Sequence, residues 1–169
     1  MAFSITGQGG LVGFQPISTN STTQKHRLGI RVRGYDATLL EGEFIYLKGV
    51  ASTVVGSLVE YSDSDFDTTL TPDTAATGRP VAVAMSACVA NEFGWYQVFG
   101  LATIKKTAVV VNPGKVKIYQ SATTGRVMPT AASSKMIWGC IAANAATVAA
   151  ATSTVICQIS YPQMSGVVV

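Results

Sequence analysis

Residues 93–99 read Phe-Gly-Trp-Tyr-Gln-Val-Phe, the densest aromatic run in the chain. Strand alternation places Trp95, Gln97 and Phe99 on one face and Tyr96 and Val98 on the other. Both faces are then largely apolar, which implies burial on both sides. Such a strand is either central to a core or turns one face toward a neighbouring subunit, where Trp and Tyr are typical anchors. Trp95, Tyr96 and Phe99 are therefore candidates for core or subunit-interface positions.

Strand signals recur on either side of this run. In 26–36, HRLGIRVRGYD, the residues Leu28, Ile30 and Val32 alternate with Gly29, Arg31 and Arg33. The segments 42–50, 57–63, 78–90, 94–105, 115–121, 125–130, 135–142 and 154–162 are rich in β-branched or aromatic residues and bounded by turn formers. In Asn112-Pro113-Gly114 the proline presets φ and the glycine accepts the positive φ of a type II turn. Thr123-Thr124-Gly125 separates two further strands, so 115–128 reads as a hairpin. No stretch has helical spacing with a cap, and the Ala-rich piece 142–151 favours a loop over a short helix. The expectation is an all-β chain, an antiparallel sandwich or barrel, with no repeat at a fixed period. One body over 26–162 would follow an extended arm, 1–25, and precede a tail, 163–169.

The arm has four glycines, one proline and no ionic residue through position 24, with isolated hydrophobes such as Phe3, Ile5, Phe14 and Ile17. Spaced in this way they can dock on another surface but cannot build a core. No charged opening of a secretory signal is present, and the three separated cysteines suggest neither a disulfide framework nor zinc spacing, so a reducing cytosol is the expected place of synthesis. The uncharged stretch after Lys135 is too often interrupted by polar residues for a spanning helix, so no membrane partner is expected.

Composition bears on function directly. Hydrophobic residues make up 48% of the 169-residue chain and charged residues only 12%, with a net charge of +3, against about 25% charged in an average soluble domain. A surface so poor in charge is expected to be covered by neighbours, as in large symmetric assemblies. An isoelectric point near 8.8 falls short of the concentrated basic excess of a nucleic-acid binder, so no nucleic-acid partner is expected.

Catalytic motifs do not assemble. His26 is the single histidine, no Gly-x-Ser-x-Gly elbow exists, and no cysteine sits in a nucleophile motif. Phosphate-loop and dinucleotide glycine patterns are incomplete. The chain is expected not to be an enzyme and to need no cofactor or metal. Asp63, Asp65 and Asp67 open like a calcium loop, but Thr68 and Thr74 replace the required glycine and glutamate, leaving a solvated acidic loop as the main reading. The strongest charge feature is Lys25, Arg27, Arg31 and Arg33. As a strand, Arg27, Arg31, Arg33 and Tyr35 would share a face able to grip phosphates or an acidic protein surface, or to guard a sheet edge.

Residues 78–162 resemble the capsid decoration, or cement, proteins of tailed bacteriophages. The resemblance rests on GRPVAVAMSACVA, then GWYQVFGLATIK, then KVKIYQSATTGRV, WGCIAANAA and TVICQISYP, in that order. It implies a homotrimer on the outside of an icosahedral head, bridging subunits of the major capsid protein, and synthesis in the host bacterial cytoplasm. Phe3, Phe14, Lys25, Arg27, Arg31 and Arg33 would then be capsid contacts, and Trp95, Tyr96 and Phe99 trimer-interface or core residues. A trimeric fibre or spike module binding host glycans is the alternative, and a small hydrolase built round His26 a more distant one.

Overall fold

A computed structural model describes residues 3–6 and 14–166 of the chain, and these are all-β. Eleven strands form one large antiparallel sheet, with no helix among the described residues. They are β1 (Ser4–Thr6), β2 (Arg31–Asp36), β3 (Leu40–Lys48), β4 (Leu58–Tyr61), β5 (Thr68–Leu70), β6 (Val81–Ala84), β7 (Phe93–Lys105), β8 (Lys117–Gln120), β9 (Val127–Met128), β10 (Met136–Ala142) and β11 (Thr154–Met164). The main path runs β1-β2-β3-β7-β11-β10-β8-β9, while β6 pairs with β7 and carries β4 and β5 behind it. The expected strands are all present, the 115–128 hairpin among them, and β1 and β5, three residues each, are the two without a sequence signal. The Ala-rich piece is a loop pinned by the bridge between Val111 and Val148. β11 runs past the expected tail boundary, because Met164 still pairs with Ile137 and is buried. No helix is long and apolar enough to cross a membrane.

β7 organises the sheet. One edge pairs with β3 from Phe93 to Gly100, and the other pairs first with β6 at Tyr96 and Gln97 and then with β11 from Phe99 onward. The change of partner coincides with a register slip opposite Glu43 and Phe44. Bulges leave ladder carbonyls without their regular partners, and the buried Gln97 amide donates to two here, Phe99 O at 3.1 Å and Leu101 O at 2.9 Å. Gly100 takes φ +101° at the slip, where a Cβ would collide with the carbonyl of Glu41.

The strand pairings recur within the chain. In a first unit Glu60 pairs with Thr69 and Tyr61 with Thr68; in a second, 59 residues on, Tyr119 pairs with Met128 and Gln120 with Val127. Val83 pairs with Gln97 and Ala84 with Tyr96, as Ile141 pairs with Gln158 and Ala142 with Cys157. Tyr46 opposite Trp95 is repeated as Thr103 opposite Ile156. Each unit returns on its first strand by one parallel bridge, Lys48 to Asp67 or Lys106 to Val127. Strands β3, β4, β5, β6 and β7 thus correspond to β7, β8, β9, β10 and β11, with β7 serving in both. The displacement drifts from 57 to 61 residues between strands, so the pairing pattern recurs without a fixed sequence period. The units differ in side chains and loop lengths, which hides the correspondence from the sequence.

Each unit curls round its own core. Ile45, Leu47, Val59, Tyr61, Ala82, Ala84, Tyr96 and Val98 fill the first. Ala102, Ile104, Ile118, Val127, Cys140, Ala142, Val155, Cys157 and Ile159 fill the second, joined by Leu58, Val81 and Val83.

Gly100→Ala should cost about 3 kcal/mol, since it adds a backbone clash to left-handed strain. Gly114→Ala should cost only about 1 kcal/mol of strain, since φ is +110° there but nothing lies within 4 Å. Urea unfolding midpoints of the two variants check the difference.

Candidate interaction surfaces

The outer face of the first unit is covered by the chain's own N-terminal segment. Phe44, Tyr46 and Trp95 form a third apolar cluster with Phe3 and Ile17, against which Ile5, Phe14, Leu28 and Val32 pack. Gln15 is its polar centre. Its carbonyl accepts from the Trp95 indole at 2.9 Å, and its side-chain oxygen accepts from the Tyr46 hydroxyl at 2.8 Å. Its amide nitrogen donates to Phe93 O at 2.9 Å and to Thr19 O at 2.6 Å. The Gln15 N–H donates to His26 Nε2 at 3.1 Å, and the imidazole is stacked on Phe14 with centroids 4.5 Å apart. Phe3 meets Phe44 edge-on at 4.9 Å. Of the residues expected to touch a capsid, Phe3 is buried and Phe14 half-buried in this chain's own core. Trp95 and Tyr96 are core residues, and Phe99 is exposed.

The basic row is shorter than expected. β2 begins at Arg31, after a turn in which Ile30 N–H bonds Arg27 O and Gly29 takes φ +77°, so Arg27 does not join the strand face. Lys25 and Arg27 are exposed on the approach to it. Val32 packs into the segment-covered cluster, so Arg31, Arg33 and Tyr35 point to the opposite side of the sheet. There Arg31 and Arg33 stand 3.5 and 4.0 Å from the Glu43 carboxylate. Tyr161 donates its hydroxyl to Glu43 Oε2 at 3.1 Å, Arg31 lies over its ring at 5.1 Å, and Phe99 packs against it at 5.8 Å. A shallow cleft of about 130 Å³ opens between Arg33, Glu41, Gly42, Glu43, Phe99 and Tyr161. Desolvation, and donation to the carboxylate, push the Tyr161 phenol above its ordinary pKa.

A second open surface lies on the other side. Ile137 and Val155 face the second core, so their neighbours Trp138 and Ile156 point away from it and are 58% and 36% exposed. Gln158 and Ile141 continue that face, and Lys105 and Lys117 border it. Between them no ionic side chain occurs, because the sequence has none after Lys135. This is the face that the N-terminal segment covers in the first unit: Ile156 stands where Trp95 does, and Thr103 where Tyr46 does.

The acidic trio does not converge. Asp67 is paired with Lys48 at 3.1 Å, and Asp65 accepts the Asp67 N–H at 3.2 Å, which together with Ser62 holds its carboxyl below the usual range. Among the described residues no three His, Cys, Asp or Glu side chains gather as a metal site. Cys88, Cys140 and Cys157 are buried free thiols. Sequence reading did not anticipate Glu43, Tyr161, Trp138 and Ile156. A Trp next to the inward-pointing Ile137 was the one available signal, whereas Glu43 and Tyr161 meet across 118 residues. No protein-family model matches the chain, and no curated protein matches it.

Burial lowers the His26 pKa below its ordinary 6.5, and only the neutral ring can accept from Gln15. A base with a depressed folded pKa contributes stability that is full above about pH 6.5 and is lost as pH falls below it. Trp95 fluorescence and melting temperature should therefore decline between pH 7.5 and 5, and His26→Phe should remove that dependence.

Proposed function

We propose that this chain is a structural protein of a bacteriophage virion that binds the outside of an icosahedral head and stabilises it by bridging major capsid protein subunits. The observation that carries this reading is the open, charge-free face of the second unit. An exposed Trp and Ile at its centre, with Lys105 and Lys117 at its rim, are the parts of a docking surface: apolar anchors inside, polar groups round the edge. The corresponding face of the first unit is already sealed by the chain's own segment. The body therefore offers a preformed surface, and attachment costs little ordering. A ligand that binds only the assembled shell stabilises it by mass action, and a homotrimer near a local threefold would multiply the effect through avidity. His26 is held between an aromatic ring and a backbone N–H, which removes it from general-base work and supports a non-enzymatic role.

Purified protein mixed with heads lacking it should bind saturably and raise the shell's melting temperature. Trp138→Glu, at an exposed site, should weaken that binding about tenfold or more, the scale of a lost anchor, while leaving the isolated protein's melting temperature unchanged. Absence of binding, or undiminished binding by Trp138→Glu, would overturn the reading.

A further inference from the structure

The cleft at Tyr161 lies where backbone irregularities on adjoining strands converge. Gly100 on β7 is left-handed and meets Gly42 on β3; on β10 Gly139 takes φ +70° at a register shift, facing Ser160. Tyr161 itself holds φ +44°, a conformation that a non-glycine residue adopts only where its surroundings impose it. Its ring is brought across β7 toward β3 by the bond to Glu43 and by Phe99. The cleft wall is thus braced rather than loose: the Glu43 side chain is only 13% exposed and held by two guanidinium groups and a phenol.

The lining chemistry narrows the ligand. Two carboxylates, Glu41 and Glu43, and one guanidinium, Arg33, edge the opening, while Arg31 is stacked over the Tyr161 ring and does not line it. The carboxylates disfavour an anion and the guanidinium disfavours a cation. What remains favoured is a neutral molecule with several closely spaced donors and acceptors and one apolar face. Tyr161 and Phe99 are 49% and 39% exposed and offer ring surface for that face. The volume, about 130 Å³, is that of roughly four waters, enough to seat one face of a single pyranose ring but not an extended chain.

We propose that this cleft is a monosaccharide-binding subsite that takes one neutral hexopyranose residue of a glycan. The sugar's C–H face would lie on Tyr161 and Phe99, its hydroxyls would donate to Glu41 and Glu43, and Arg33 would donate to a ring or hydroxyl oxygen. Phe99 pairs with Ser160, which alternates with Gln158 and Ile156, so the cleft adjoins the charge-free face. The inference does not rest on the proposed attachment to a phage head.

The test is NMR titration of the full chain with methyl glycosides of glucose, galactose, mannose and N-acetylglucosamine, with inorganic phosphate as an anionic comparison. At least one glycoside should bind in the millimolar range, shift the amides of Glu43, Phe99 and Tyr161, and show saturation transfer to its ring protons. Tyr161→Ala should weaken it about tenfold, as loss of an anchoring ring does. Arg33→Ala, at a highly exposed position, should weaken it severalfold. No response to any glycoside, a response to phosphate alone, or equal binding by Tyr161→Ala and Arg33→Ala would overturn the proposal. Head binding that fails while glycoside binding persists would count against the cement reading alone.

Discussion

β7 is bonded along both edges, and its first half is packed on both faces, between the first core and the cluster sealed by the N-terminal segment. A 13-residue strand with β3 on one side and β6 followed by β11 on the other exchanges partners midway along one edge. At the same level its ladder with β3 slips by one residue, a bulge at Gln97–Gly100. Gln97 satisfies the carbonyls it frees, Gly100 supplies the backbone conformation, and the ladder resumes with β11. Because the first core ends on Tyr96 and Val98 and the second begins on Ala102 and Ile104, neither unit can unfold without exposing part of the other. The crease produced by the exchange is also what leaves Phe99 and Tyr161 standing at the surface.

The two units share a pattern of pairing and have diverged at equivalent positions. Where the first unit ties its return bridge with the exposed pair Lys48–Asp67, the second uses Lys106, buried and capped by the carbonyls of Thr107, Val109 and Ala150 at 3.2, 2.8 and 3.3 Å. A buried ammonium is tolerable only with such partners, and here they lock the loops either side of β7's end. The outer faces diverged too. Tyr46 and Trp95 bond Gln15 of the covering segment; their counterparts in the second unit are Thr103 and Ile156. One pairing pattern thus carries a face packed by the N-terminal segment and a face with Trp138 and Ile156 exposed.

Two parts of the surface differ in character. Round Trp138 and Ile156 it is apolar and uncharged. Round Glu43 and Tyr161, arginines, carboxylates and aromatic rings crowd a small cleft. The scarcity of charge in the chain as a whole is thus unevenly spread: ionic groups concentrate near β2, β3 and the acidic loop, while residues after Lys135 have none.

Local pattern determined the strands, since alternation in 26–36 and β-branched runs elsewhere need only neighbouring residues to be read, and the two-sided burial of Trp95 and Tyr96 was legible for the same reason. It also determined the turn at Asn112–Gly114 and the loop over 142–151, where backbone preferences act within a few residues. The short strands β1 and β5 were not legible, because three residues carry no periodicity. Tertiary structure alone decided that Phe3 and Phe14 seal their own core, that Arg27 leaves the row kept by Arg31 and Arg33, and that Glu43 and Tyr161 meet. Those outcomes depend on which strands become neighbours, and that choice is made by long-range pairing energies that no single segment contains.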